Sequence, residues 1–196
     1  MTDVKLPRIS LEELIDSQEA QLKHLPEEFV RLFVPVVREL AHGQPVQPER
    51  LATLAGLPLD KTTAVLREAG EWDPGGTRVV GLMLTSIRTP HRFEVHGHTM
   101  WTWCSGESLM FPMLIGAPAR IQSPCAATGD PIRMKVTPTS VEQLQPASAV
   151  VSVILPKVGL AELRQAACAK SELLPRRRGR LRVAGRPPQR ARATRG

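Results

Sequence analysis

The chain has no tyrosine, and aromatic residues make up only 4% of its 196 positions. Hydrophobic residues at 42% still suffice for a core, in one moderate domain or a small one joined to a larger one. No apolar run approaches the roughly 20 residues that cross a bilayer, which argues against a membrane span. The opening residues, MTDVKLPRISLEEL, are polar and acidic and make no signal peptide, so a cytoplasmic location is expected. Cysteine is scarce. Three in a cytoplasmic chain do not make a disulfide framework, which leaves metal binding, thiol chemistry or inert burial. Gly-rich phosphate loops, a serine nucleophile elbow, Cys-x-x-Cys and His-Glu-x-x-His are all absent. Of the histidines His24, His42, His91, His96 and His98, the His96-Gly97-His98 pair can ligate a metal. Without a supporting motif it reads as solvated loop.

Acid is missing from residues 175–196, which hold nine arginines. The formal charge of +7 is therefore a property of the tail, because the rest of the chain carries 17 basic against 19 acidic residues. A basic tail can hold nucleic acid without sequence preference, but a body of net −2 predicts no specific nucleic-acid partner.

Helical periodicity runs over residues 10–24 and 27–42. In the second stretch Phe29, Leu32, Phe33, Val36, Val37 and Leu40 recur at spacings of three and four, before Gly43. Residues 48–55 follow Pro48 as a helix start, and 59–69 form a helix between Asp60 and Gly70. Asp73-Pro74-Gly75-Gly76 is a turn. Arg78–Thr85 and Arg92–His96 alternate like the strands of a wing. Helices followed by a hairpin predict a winged-helix-like module over 25–95, preceded by an extension over 1–24. Beyond it, His98–Trp103 reads as strand or turn, and Ser108–Ile115 as a helix limited by Pro112. Ala119–Pro124, Pro131–Thr137 and Ala149–Leu155 read as strands, and Leu160–Ala169 as helix. The chain from about residue 171 reads as a basic disordered tail. The fold class expected is α+β.

Three cysteine contexts carry possible chemistry. In Trp103-Cys104-Ser105-Gly106-Glu107, a helix starting near Cys104 puts Glu107 on the same face. A carboxylate there can take the thiol proton and return it, and a helix N-terminus favours the thiolate. On spacing alone, a buried cysteine beside a surface glutamate is the commoner reading. Cys125, in Ser-Pro-Cys-Ala-Ala-Thr-Gly, reads as core packing. Cys168, in Arg-Gln-Ala-Ala-Cys, reads as a lone structural cysteine unless it converges with Cys104 on a soft metal.

Taken together, LFVPVVRELAHGQPV (32–46), GLMLTSIRTPHRF (81–93), WCSGESLMFPMLIG (103–116), CAATGDPI (125–132), VSVILP (151–156) and LRQAAC (163–168) resemble the organomercurial (alkylmercury) lyases. The resemblance implies a winged-helix-like domain that does not serve DNA binding. A catalytic domain of small antiparallel sheets and helices follows, over 96–170 here. It implies that Cys104 and Cys168 are the mercury-binding thiols, that Trp103 lines the substrate site, and that Cys125 is structural. The family acid three residues after the first cysteine is an aspartate, and here it is Glu107. The implied reaction is protonolysis of a carbon–mercury bond, giving a hydrocarbon and Hg(II), in mercury detoxification. No organic cofactor is implied. Free cellular thiols, or mercuric reductase, would take the ion away. The family chain continues past its second cysteine into an aromatic, apolar strand and further helices, which Ala169–Gly196 does not resemble. Arg, Pro, Gly and Ala are what GC-rich DNA yields out of frame, so a frameshifted and incomplete C-terminal end is expected. Two rival readings are a winged-helix transcriptional regulator contacting DNA through Lys61, Arg67 and the tail, and an inactive homologue that only sequesters mercury.

Overall fold

The computed structural model describes residues 25–152 and 172–175, together with Asp16, Glu19, Ala20 and Lys23. The helix expected over 160–169, Cys168, the end of the 149–155 segment, most of the 10–24 helix and everything after Pro175 lie outside the described residues.

Three helices come first. α1 (Glu27–Leu40) begins after Pro26 with Glu27 and Glu28 in its first turn and ends with Arg38 in its last, charges that suit the helix dipole. Its stripe of Phe29, Leu32, Val36, Val37 and Leu40 is buried. α2 (Pro48–Ala55) takes Pro48 where no amide partner is needed and stops at Gly56, which is left-handed at φ 63°. α3 (Leu59–Ala69) stops at Gly70 and buries Thr62, Val65 and Leu66. The three pack on one another, and the link between α1 and α2 is tied to the sheet by a bridge between Val46 and Val79.

Eight strands then form one antiparallel sheet: β1 (Glu71–Trp72), β2 (Val79–Leu82), β3 (Leu84–Thr85), β4 (His91–Val95), β5 (His98–Thr102), β6 (Ala119–Pro124), β7 (Pro131–Val136) and β8 (Val141–Gln145). Their order is β1-β2-β3-β5-β4-β6-β7-β8. The α+β expectation therefore holds as mixed helix and antiparallel sheet. The strand pairing differs from the wing read in the sequence. Val79–Thr85 does not pair with β4. It splits at Met83, a non-glycine residue at φ 62°, into β2 and β3, and β2 pairs instead with β1 across the Asp73–Gly76 turn. Gly81 permits this crowding, because a Cβ there would come within 2.7 Å of Thr85 Cβ.

Strands β4, β6 and β7 alternate cleanly. Phe93, Val95, Ala119, Ile121, Ile132, Met134 and Val136 face the core, while Arg92, Arg120, Gln122 and Arg133 face water. A fourth helix, α4 (Ser105–Ile115), follows β5 directly and packs between α1 and strands β4, β5 and β6. Its sequence is apolar on nearly every side, as a helix packed on several elements requires. Phe111 is its centre, fully buried, edge-on to Phe93 of β4 and tilted against Phe33 of α1.

A second, two-stranded sheet pairs β9 (Ala149–Ser152) with β10 (Glu172–Pro175). Glu172–Pro175, at the start of the tail expected to be disordered, is therefore strand, and the rest of that tail lies outside the described residues. Leu173 and Leu174 are buried, and apolar burial of two adjacent leucines outweighs the disorder-prone composition that starts at Arg176.

Phe111 links helices and sheet, so Phe111→Ala should lower stability by about 3–5 kcal/mol, read from the midpoint of denaturant unfolding. A loss below about 1 kcal/mol would mean that the aromatic cluster does not hold α4 in place.

Candidate active site at the start of the fourth helix

Cys104 is the N-cap of α4, with extended backbone at φ −145° and ψ 168°. The first amides of a helix have no partner within it, and a capping residue supplies one. Here a capping box does so reciprocally. The Cys104 sulfur accepts the Glu107 N–H, and the Glu107 carboxylate reaches back to the Cys104 N–H, with Oε2 at 3.0 Å. In the common form of this motif a serine or threonine caps and a glutamate or glutamine sits three residues on. Cysteine in the capping place puts the thiol at the positive end of a helix, a setting that favours thiolate. The Glu107 side chain is long enough to reach back to the cap. Cys104 is 4% exposed and Glu107 5%, so thiol and carboxylate share a largely water-excluded junction.

The chain around them is pinned. Trp103, half-buried against the core, donates its backbone N–H to Met83 O at 3.0 Å. Thr102, the last residue of β5, donates its hydroxyl to Cys104 O at 2.9 Å and lies 2.7 Å from the Ser108 hydroxyl. Ser108 Oγ in turn is 3.4 Å from Cys104 O. Thr102, Ser105 and Ser108 are completely buried. Sequence reasoning singles out Trp103, Cys104 and Glu107, which the fold does bring together, but not Thr102 or Ser108. The available signal is the pair of hydroxyl residues two before and four after the cysteine.

Cys125 stands elsewhere, at the end of β6, 4% exposed. Its N–H donates to Asp130 O and its O accepts from Gly129 N, both at 2.7 Å, closing the Cys-Ala-Ala-Thr-Gly turn. Burial pushes its thiol up, and so does Asp130. The Thr128 hydroxyl and the amides of Ala127 and Thr128 aim at the sulfur and outweigh both, so the thiol sits below its ordinary range. The turn also holds β10, through Ala126 N–H to Leu173 O at 2.9 Å and a parallel bridge between Cys125 and Leu173.

His96 and His98 flank the tight turn between β4 and β5, and the His96 ring stacks on His42 at 5.4 Å. Among the described residues no three His, Cys, Asp or Glu side chains are grouped to hold a metal ion. The basic residues offered for DNA contact on α3 are engaged within the chain. Lys61 pairs with Glu28 at 3.1 Å. Arg67 donates to Gly76 O at 2.6 Å and stacks over Trp72 at 3.6 Å. Among the described residues no helix is long and apolar enough to cross a membrane.

The depressed Cys125 thiol fixes the sign of a pH effect. The folded state releases this proton at lower pH than the unfolded chain does, so its contribution is complete only above the unfolded value of about 9 and is lost as pH falls through the lower folded value. Cys125→Ala should therefore lower the melting temperature and flatten its pH dependence on the alkaline side, leaving activity per folded molecule largely intact. An unchanged alkaline slope would count against a stabilised Cys125 thiolate.

Comparison with known proteins places this geometry. Residues 84–179 match the family model described as alkylmercury lyase. The chain is 46% identical over 133 residues to the alkylmercury lyase of Pseudomonas putida, covering 67% of this chain and 62% of that one. It is 42% identical over 139 residues to that of Bacillus cereus, covering 70% and 63%, and 41% identical over 143 residues to that of Streptomyces lividans, covering 70% and 64%. The chain thus spans a little under two thirds of the length of these curated relatives. Its fold is similar to the crystal structure of the mercury-bound form of MerB2, with a TM-score of 0.65 at 24% identity, over 84% of this chain and 82% of that one. The capped Cys104–Glu107 pair lies inside the matched segment, and over that segment the chain is similar to the alkylmercury lyases.

Proposed function

We propose that this protein is an organomercurial lyase that cleaves carbon–mercury bonds by protonolysis. The observation that carries the reading is the buried capping box, which holds one thiol and one carboxylate together at a helix N-terminus. Mercury is soft and takes thiolates in preference to oxygen or nitrogen. Glu107 takes the proton of Cys104, and the thiolate sulfur bonds to the mercury of R–Hg⁺. The Cys168 thiolate adds as a second sulfur, its proton passing to solvent, and electron density moves onto the carbon. Protonated Glu107 then delivers its proton to that carbon as the carbon–mercury bond breaks. The products are R–H and Hg(II) on two sulfurs, and the Glu107 carboxylate is regenerated. No organic cofactor takes part. Cellular thiols or mercuric reductase receive the ion, and Trp103 lines the substrate site.

Cys168 lies four residues before Glu172, a tether of at most about 14 Å. β10 packs against α4, so chain length permits the second thiol to reach the first. We also read α1–α3 with the β1–β2 hairpin as a winged-helix-like module of structural use. The engagement of Lys61 and Arg67 within the chain supports that over a DNA-reading role.

The deciding experiment is headspace detection of methane or benzene from methyl- or phenylmercury incubated with the purified chain and excess thiol. Release supports the enzyme. Mercury retained with no hydrocarbon would instead support a sequestering homologue. Cys104→Ser should abolish release, because a hydroxyl is a poor ligand for mercury. Glu107→Gln keeps the size but cannot carry the transferred proton, so single-turnover release should slow at least about tenfold, about 1.4 kcal/mol of barrier. Equal rates for Glu107→Gln and the parent would remove Glu107 as proton donor. Glu107→Asp should release hydrocarbon at least as fast as the parent, and at a cost of about 0.5–1 kcal/mol in stability from the weakened cap.

A further inference from the structure

The Cys104 peptide is gripped from both sides, and only one grip belongs to the thiol–carboxylate pair. Glu107 holds its N–H. Its carbonyl accepts from Thr102 Oγ1 at 2.9 Å, and Ser108 Oγ lies 2.7 Å from Thr102 Oγ1 and 3.4 Å from the same carbonyl. Each hydroxyl has one proton to give. The shorter distance assigns the Thr102 proton to Cys104 O, and the Ser108 proton then goes to Thr102 Oγ1. The chain Ser108 to Thr102 to Cys104 O runs in one direction and leaves neither hydroxyl proton idle. All three residues are buried, where an unsatisfied hydroxyl costs about 1–3 kcal/mol. Thr102 belongs to β5 and Ser108 to α4, so the clamp also fixes the angle at which the helix leaves the strand.

Resting on the lyase reading above, we propose that Thr102 and Ser108 are positioning residues. Thr102 holds the Cys104 carbonyl and Ser108 orients the Thr102 hydroxyl, and together they fix the direction of the thiol relative to Glu107. Glu107 has one more rotatable bond than an aspartate, so orientation of the proton carrier must come from its surroundings. Misplacement of a reacting group by about 1 Å can cost on the order of a hundredfold. The clamp holds the end of the peptide that Glu107 does not.

The test uses the full chain with Thr102→Val and Thr102→Ser. Thr102→Val keeps shape but removes the donor to Cys104 O. Single-turnover hydrocarbon release should fall at least about tenfold, with little change in the phenylmercury concentration giving half-maximal rate. Thr102→Ser should recover at least about a third of the parent rate. A second readout does not need the lyase reaction. Alkylation of Cys104 by iodoacetamide, followed by mass spectrometry across pH, should show its midpoint moving upward in Thr102→Val and returning in Thr102→Ser. If the parent releases no hydrocarbon, the lyase reading fails, and the alkylation profile alone still decides the clamp. Parent-like rate and alkylation in Thr102→Val would overturn the proposal. So would equal losses in the valine and serine variants that track their melting temperatures, which would make the hydroxyl a matter of stability only.

Discussion

Everything at this site depends on how the first turn of α4 finds partners for its amides. A serine or an aspartate would cap that turn more strongly, since sulfur is a weak acceptor. Cysteine in the capping place therefore gives up helix stability and gains a thiol at the helix N-terminus, where the backbone amides favour an anion. Glu107 recovers part of that stability by capping in return. The same two hydrogen bonds that begin the helix also hold the thiol and the carboxylate in register. Structure and chemistry are therefore coupled. Loosening the cap loosens the pair.

The cap could not work in isolation, because the junction is buried. Thr85, Thr102, Ser105, Glu107 and Ser108 are buried polar residues close together in the sequence or on neighbouring strands. Burying polar groups is costly unless they bond to one another. Here the Thr102 hydroxyl satisfies a carbonyl, Thr85 Oγ1 accepts the Ile87 N–H at 3.0 Å, and Thr89 donates to Thr102 O at 2.6 Å. The apolar layer of Phe33, Phe93 and Phe111 seals the other side of α4. Low dielectric strengthens whatever electrostatic interactions remain, which is the setting in which one carboxylate can both take and deliver a proton.

How far the sequence reveals this depends on the kind of signal. α2 and α3 are legible to the residue, because proline and glycine punctuate them. β6 and β7 are legible because alternation is regular over six positions each. β1, two residues long, and β8, exposed over most of its length with Gln143 at φ 53°, carry no periodic signal. Each is an edge strand defined by its neighbour rather than by its own pattern. β10 is hidden for a different reason. Only Leu173 and Leu174 mark it, at the rim of an arginine-rich stretch, and its partner lies 20 residues earlier. At the site, spacing alone reads Cys104 and Glu107 as a buried cysteine beside a surface glutamate, and only the family resemblance singles them out. The Thr102–Ser108 clamp is not legible, since a hydroxyl in a strand and another in a helix acquire a joint role only when the strand–helix angle is known.

The two-stranded sheet gives the Cys125 turn a place in the fold. Its turn is closed by two short backbone bonds, and the next amide, Ala126 N–H, docks on Leu173. Leu173 and Leu174 are buried by that docking and by pairing with β9. In the proposed reaction the second thiol is tethered to the N-terminal end of β10, so the position of that strand sets where Cys168 can go. β10 has only four residues and no hydrogen-bonded neighbour besides β9 and this turn among the described residues. A strand so short holds its place through its anchors rather than through its own propensity. Small side chains at Ala126 and Ala127 let the turn approach the strand closely, and the Cys125 sulfur accepts the Ala127 N–H at 3.3 Å, which fixes the turn's shape. The Cys125 turn thus anchors β10 at one end of the second sheet, while Cys104 caps α4.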